Sequence, residues 1–243
     1  MLNPRIIFVC RLTAGLLFSA CLFSSGSTAQ IYAQQPLSQS AQQHYDSGWK
    51  HLQQHSYPKA LQEAEAASKV DPDFAPAFLL KSQALVGIFK KQYNTGAGLS
   101  DLDPSFMLLK QAADDLRRYI ELSPATADAK ALREQLESLR AYANLTDQDD
   151  ASRTVFRPKE TTIKAHILSR ASPKYGDING AVILLAVFTA DKQVNHIIVL
   201  RSLSDDVMKA CVDAARNTKF EPAIKDGRAV STVIQMEFHF NEH

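Results

Sequence analysis

Apolar residues recur with a helical period over the first half of the chain. Between residues 40 and 145, alanine and leucine recur at intervals of three and four, a spacing that gathers them on one face of an α-helix. Two helices are predicted over 41–69, and Pro58 suits the first turn of the second because that position needs no N–H. Further helices are predicted over 74–91, over 106–122 and up to about Ala143.

After about residue 153 the period changes to that of extended strands. A short strand is predicted over 161–168. The continuous apolar run Ala181–Phe188 predicts a strand covered on both faces, and Val194–Arg201 predicts its neighbour across a turn. Ser204 is placed to cap a following helix, since two aspartates lie in that helix's first turn. The second half therefore predicts a small unit of strands and one helix.

The last strand shows the clearest alternation. Asp226-Gly227 marks a hairpin turn, and the residues from Val230 to Phe240 then fall into two interleaved sets, one of them mostly apolar. This alternation predicts a strand with one buried side and one side in contact with water. The residues predicted on the water side are Ser231, Val233, Gln235, Glu237 and His239.

The first 29 residues have the parts of an export signal. A basic start leads into an apolar run that ends at Phe23, and small residues follow up to Ala29. The run has about a dozen residues, whereas a membrane-spanning helix needs roughly 20. A cleaved signal peptide, an uncleaved anchor and a lipoprotein that begins at Cys21 stay open as alternatives. Residues 30–39, rich in glutamine and serine, predict a flexible lead-in.

Composition argues against several classes of function but does not identify one. A formal net charge of +1 over 243 residues argues against nucleic acid as a partner. Membrane association is expected only through the N-terminal segment, if that segment is uncleaved or lipidated. No nucleophile motif or phosphate-binding loop is present, and the histidines have no ligand set of metal-binding spacing. The chain is therefore expected to have no cofactor, no metal and no enzymatic activity.

Small residues and prolines in the helical half follow a repeat. Gly48, Ala60, Ala67 and Pro72 fall at spacings where two helices must cross closely. A second, degenerate match runs from Ala112 to Pro124. Residues 40–145 thus resemble tetratricopeptide repeats (TPR), whose concave face holds peptides. The resemblance places Tyr45, Trp49 and Gln83 toward such a groove, and packing against a neighbouring helix is the alternative for the two aromatic residues.

An ordered set of short motifs covers the second half, from about residue 155 to 240. It comprises Pro173-x-Tyr175, Gly180-Ala181-Val182, a turn at Asp191, Ile198–Ser202, Ala214-Ala215-Arg216, Phe220-x-Pro222-Ala223, Asp226-Gly227-Arg228-x-Val230 and Phe238-x-Phe240. This set resembles the C-terminal domain of TonB-family energy transducers. Two departures stand out: Tyr175 is followed by glycine where the family has proline, and only four residues separate it from Gly180, where the family has a helical stretch.

The two resemblances imply an α+β protein. An all-α TPR-like repeat over 40–145 is expected to precede a linker over 146–154 and a small two-layer α/β domain (β-β-α-β) over 155–243. The TonB resemblance implies a periplasmic protein that binds a peptide or protein by strand addition, with a TonB-dependent outer-membrane receptor as the expected partner. The residues it suggests are Tyr175 and the water side of the last strand. The alternative is an envelope scaffold that does not transduce energy, and a homodimer also stays open.

Overall fold

A computed structural model describes residues 31–94, 103–146, 153–173 and 178–240. The predicted signal segment over 1–29 lies outside the described residues. Five antiparallel helices form the first half of the described chain, in the places that the apolar spacing predicts. They are α1 (Ile31–Gln53), α2 (Tyr57–Val70), α3 (Ala75–Asn94), α4 (Asp103–Leu122) and α5 (Ala129–Ala143).

Close helix crossings occur where the sequence supplies its smallest residues. A Cβ atom on Gly48 would lie 2.8 Å from a methyl carbon of Leu80 on α3 and 3.3 Å from the main-chain oxygen of Ala60 on α2, so α1 packs closely against both helices at this glycine. On α2, the three alanines Ala60, Ala64 and Ala67 are buried between the neighbouring helices. Pro58 lies in the first turn of α2, as predicted. Helix α1 already begins at Ile31, inside the segment that was expected to be a flexible lead-in.

The described residues of the second half form seven strands and one further α-helix. The strands are β1 (Val155–Phe156), β2 (His166–Ser169), β3 (Gly180–Phe188), β4 (Val194–Arg201), β5 (Lys219–Glu221), β6 (Ala223–Lys225) and β7 (Arg228–Phe240), and the helix is α6 (Asp205–Arg216). The predicted strand over 161–168 is shorter than expected, since regular pairing begins only at His166. Ser204 accepts a hydrogen bond from the main-chain N–H of Val207, which confirms the predicted helix cap.

The main sheet has the strand order β1-β7-β3-β4, with β6 paired to the start of β7. Strands β3 and β7 are antiparallel over nine residue pairs, from Gly180 opposite Phe240 to Phe188 opposite Thr232. Asp226 and Gly227 both have positive φ and join β6 to β7, which confirms the predicted hairpin turn. Strands β2 and β5 form a separate two-stranded sheet.

Both faces of the main sheet are covered, which makes three layers rather than the expected two-layer domain beside a separate repeat. On one face, Leu184, Met236 and Phe238 pack with α6. On the other, Leu185 and Val233 belong to a single hydrophobic core with side chains of α3, α4 and α5. The prediction that Ala181–Phe188 is covered on both faces is therefore confirmed.

Val233 corrects the prediction of a last strand with one side in water. Its side chain is 0% exposed because the helical layer covers the face that Val233 shares with Gln235. Alternation along a strand shows which residues share a face, but it does not show whether another part of the chain packs on that face.

Polar contacts fix the helical layer to the start of the sheet. The side-chain oxygen of Asn144 accepts hydrogen bonds from the main-chain N–H groups of Thr154 (2.6 Å) and Val155 (3.0 Å). The Arg157 guanidinium donates to the main-chain carbonyl oxygen of Leu145 at 2.8 Å. Residues 147–152 of the predicted linker lie outside the described residues, but the residues on either side of it are in direct contact. The helical and sheet parts therefore pack as one body.

Candidate functional site

The open edge of β7 is the first candidate binding surface. The start of the strand is occupied, since β6 pairs with residues 228–230 and β1 pairs in parallel with Ser231 and Thr232. From Val233 to His239, β3 pairs with one side of β7, and no strand of the described chain pairs with the other side. Unpaired main-chain donors and acceptors along such an edge can pair with another extended chain.

A row of polar side chains follows this edge on the face toward the helical layer. The Tyr93 hydroxyl, at the end of α3, donates a hydrogen bond to the side-chain oxygen of Gln235. The Gln235 amide donates to one carboxylate oxygen of Glu237 at 2.5 Å, and the ring nitrogen Nε2 of His239 lies 3.1 Å from the other. Burial and the neighbouring charge of Glu237 raise the pKa of Tyr93 to about 12. The row therefore links the helical layer to the exposed end of β7.

The opposite face of the same edge is apolar and is partly covered by the segment before β3. The Arg170 guanidinium lies over the Phe238 ring, 4.8 Å from the ring centroid. A cavity of about 220 Å³ opens here between the segment 170–173 and the last residues of β7. A chain added to β7 would therefore meet polar groups on one side and aromatic and apolar groups on the other.

The predicted site residues on β7 fall into two groups. Gln235, Glu237 and His239 lie on the part whose outer edge is open in the described chain. The main chain of Ser231 is paired with β1, and its hydroxyl oxygen accepts a hydrogen bond from the N–H of Ala190 at 3.2 Å. With Val233 inside the core, Ser231 and Val233 have structural roles in this arrangement. Tyr175 lies outside the described residues.

Of the three residues predicted for a repeat groove, Tyr45 and Trp49 lie on α1 and Gln83 lies on α3. Tyr45 and Trp49 have ring centroids 6.4 Å apart, and Tyr45 also packs edge-on against Phe74 at 5.8 Å. Trp49 remains 40% exposed, so this aromatic group is accessible at the first helix. Gln83 is half-buried, and its side-chain oxygen has no hydrogen-bond partner among the described residues. Other side chains of α3 and α5 belong to the core that these helices share with the sheet.

A second groove, which the sequence pattern did not indicate, lies at the opposite edge of the sheet. Its volume is about 470 Å³, and it is lined by residues of α3, α5, β4 and α6. Three consecutive residues of β4, Ile197, Ile198 and Val199, contribute to it. Because consecutive residues of a strand point to opposite faces, a groove that touches all three must extend around the strand's edge. In the sequence, Lys90 directly follows the apolar run Ala84–Phe89 of α3 and precedes a second lysine, Lys91, so nothing there marks a groove.

The described residues give no sign of metal chemistry or of a membrane span. No group of three or more histidine, cysteine or carboxylate side chains there is arranged to hold a metal ion. Cys211 is buried, and burial raises the pKa of its thiol to about 11. Within the described ranges, no helix combines the length and apolar character needed to cross a bilayer.

The protein consists of a layer of antiparallel helices packed on a mixed α/β domain, and that domain has an open strand edge within the described residues. Residues 173–241 match the family model described as Gram-negative bacterial TonB protein C-terminal. Over these residues the chain is similar to the C-terminal domain of TonB proteins. The matched span begins just before β3 and includes α6 and all of β7. A search of curated proteins finds no match to this chain.

Proposed function

We propose that this chain is a periplasmic TonB-like protein that binds an extended peptide or protein segment at the edge of β7 between Val233 and His239. The observation that carries the proposal is that this edge has no strand partner in the described chain, within a domain of the TonB C-terminal family. Main-chain hydrogen bonds would supply the affinity, and alternate side chains would set the preference. The proposed role is binding, not catalysis.

The proposed partner is a TonB-dependent outer-membrane receptor, and the role belongs to transport across that membrane. A receptor segment added beyond Val233 would have side chains alternately beside Gln235 and Glu237 on one face and beside Phe238 on the other. Glu237 favours a basic or polar residue at the neighbouring position, because opposite charges on paired strands attract. Tyr175 is proposed as a further contact on the strength of the family resemblance alone.

The test uses the intact chain and synthetic peptides that carry the TonB-box segments of receptors from the same genome. We expect saturable amide NMR shifts in residues 233–239, and the same peptides methylated on alternate main-chain nitrogens should bind at least tenfold more weakly. Glu237→Arg should weaken the binding of basic peptides a few-fold, because like charges then face each other. Glu121→Arg on the exposed surface of α4 is the matched control. Absence of saturable shifts at millimolar peptide would overturn the proposal.

A second candidate is a non-transducing envelope scaffold that uses the helical layer for assembly. The accessible pair Tyr45 and Trp49 favours it, because aromatic residues are enriched where proteins contact one another. Replacement of Trp49 by alanine should then abolish a protein contact and leave peptide binding at β7 unchanged. Cross-linking in cells, with and without this substitution, distinguishes the two roles. The TPR assignment of the helices belongs to this second candidate.

A further inference from the structure

The groove at the β4 edge has features of a binding site in its own right. Its volume of about 470 Å³ is within the roughly 300–1,000 Å³ typical of ligand pockets. One wall is formed by Val86 of α3 and Leu139 of α5, and the other by Met208 of α6. The groove is thus open at the strand edge, with apolar side chains on both walls and polar ones, Lys90, Glu134, Gln135 and Ser138, beside them.

Lys90 is the exceptional residue in this groove. It is half-buried on α3, and no ion pair or hydrogen bond of its ammonium group occurs in the described part of the chain. Burial lowers the pKa of Lys90, and no neighbouring carboxylate counteracts that effect. Glu134, also at the groove, is instead 3.9 Å from the Lys130 ammonium group on its own helix. A desolvated cation without a partner favours an anionic group in the bound molecule.

The main chain of β4 identifies the kind of molecule. Strand β4 pairs with β3 on one side, and no other strand pairs with its second side within the described residues. An extended peptide can satisfy donors and acceptors along such an edge, whereas a fatty acid has no amide groups with which to do so. A peptide strand placed there would also point its side chains alternately toward the α3–α5 wall and toward α6.

We propose that the groove at the β4 edge is a second peptide-binding site, which takes an extended segment with apolar side chains and a carboxylate beside Lys90. The carboxylate can be a C-terminus or an acidic side chain, since both offer the same oxygen atoms to the ammonium group. This site is separate from the β7 edge, because β7 and β4 lie on opposite sides of β3. It does not depend on the function proposed for β7.

The first experiment titrates the intact chain with a hexapeptide that alternates valine and threonine and ends in a free carboxylate. Two relatives of the peptide separate the sources of the anion: one with an amidated end, and one amidated but with an internal aspartate. We expect saturable amide shifts at 195–199 and at Lys90. The fully amidated, uncharged peptide should bind about tenfold more weakly, the factor expected from loss of one charge-assisted hydrogen bond.

Two substitutions assign the effect to the groove. Lys90→Met keeps the length of the side chain but removes its charge. It should therefore weaken the binding of the free-carboxylate peptide about tenfold and leave the binding of the amidated peptide unchanged. Ala131→Trp fills the groove from an exposed position on α5 and should abolish binding. Arg133→Trp on the same helix, outside the groove, is its matched control and should bind as the unmodified chain does.

Four results would overturn the proposal. Equal binding of free-carboxylate and amidated peptides to the unmodified chain would remove the role of Lys90. Equal binding of a peptide methylated on its main-chain nitrogens would remove the role of the β4 edge. Decanoate that binds in the groove more tightly than every peptide would assign it to fatty acids. Shifts confined to 233–239 would place the peptide at β7 and leave the groove without a peptide-binding role.

Discussion

The Tyr142 hydroxyl lies 2.9 Å from the main-chain carbonyl oxygen of Leu185, so α5 is hydrogen-bonded to the middle of β3. The same hydroxyl also contacts the carbonyl oxygen of His196 on β4. His196 has a positive φ and lies where the pairing of β3 and β4 shifts register. Tyr142 therefore supplies a donor to carbonyl groups at an irregular part of the ladder.

Tyr142→Phe should lower the free energy of unfolding by about 1–3 kcal/mol, because buried carbonyl groups then lose their donor. The ring packing, including the stacking on Phe106, is retained in this variant. Urea unfolding of the intact chain measures the change. Tyr119→Phe on the half-exposed surface of α4 is the control and should change stability by less than about 0.5 kcal/mol. Equal effects of the two substitutions would contradict the bridging role of Tyr142.

The raised pKa of Tyr93 predicts that the folded chain loses stability in alkaline solution. Its pKa is raised from 10.0 to about 12 in the folded chain, so the folded state holds the phenol proton where the unfolded chain releases it. The resulting stabilisation is complete below pH 10 and is lost between pH 10 and about 12, by about 1–3 kcal/mol. Tyr93→Phe should flatten this part of the stability curve in urea titrations. An unchanged slope in the variant would contradict the assignment.

The isolated fragment 153–243 should not behave as an independent domain. Without the helical layer, the sheet face that carries Leu185, Val187 and Val233 becomes exposed to water. We expect the fragment to aggregate or to give poorly dispersed amide NMR spectra, whereas the chain from residue 31 onward should be monodisperse. Size-exclusion chromatography and NMR of the two proteins provide the comparison. A well-dispersed, monomeric fragment would show that the shared core is not needed for folding.

The close approach of Gly87 on α3 to Tyr57 on α2 predicts that a larger residue at position 87 destabilises the chain. A Cβ atom at this position would lie 2.3 Å from a ring carbon of Tyr57, well inside contact distance. Gly87→Ala should therefore destabilise the chain by about 1–3 kcal/mol in spite of alanine's higher helix propensity. In a double-mutant cycle with Tyr57→Ala, the second substitution should remove most of the penalty of the first. Additive effects would contradict the close approach.

The lowered pKa of Lys90 predicts that replacing this residue stabilises the folded chain. Its lowered pKa means that the folded state disfavours the charged amine, a cost that is present at neutral pH and disappears only in alkaline solution. Lys90→Met should raise the midpoint of thermal unfolding, by the equivalent of up to about 1 kcal/mol. Lys91→Met, one residue away and exposed, is the control and should have little effect. A lower midpoint for Lys90→Met would contradict this cost.

The sequence predicted the local structure well because each signal acts over a few residues. Apolar spacing located the helices, Ser204 located the start of α6, and Asp226-Gly227 located the hairpin before β7. Small residues also indicated where helices cross, as the contact of Gly48 with Leu80 confirms.

The sequence did not predict how the two halves pack. Val233 belongs to a strand pattern that fits a solvated face equally well, and its burial depends on helices more than 80 residues earlier in the chain. The β4 groove could not be predicted for the same reason, because it forms only where α3, α5 and α6 pack beside β4. Such surfaces depend on long-range packing, which a local period does not record.

The single core shared by the helices and the sheet also limits how this protein can evolve. Domains joined by linkers can be exchanged between proteins as cassettes, since few contacts cross their boundary. Here an exchanged TonB-like domain would arrive without the apolar positions that fit Phe106 and Leu139, and without carbonyl groups placed for Tyr142. The helical layer and the sheet are therefore expected to be inherited together, with substitutions at their interface occurring in compensating pairs.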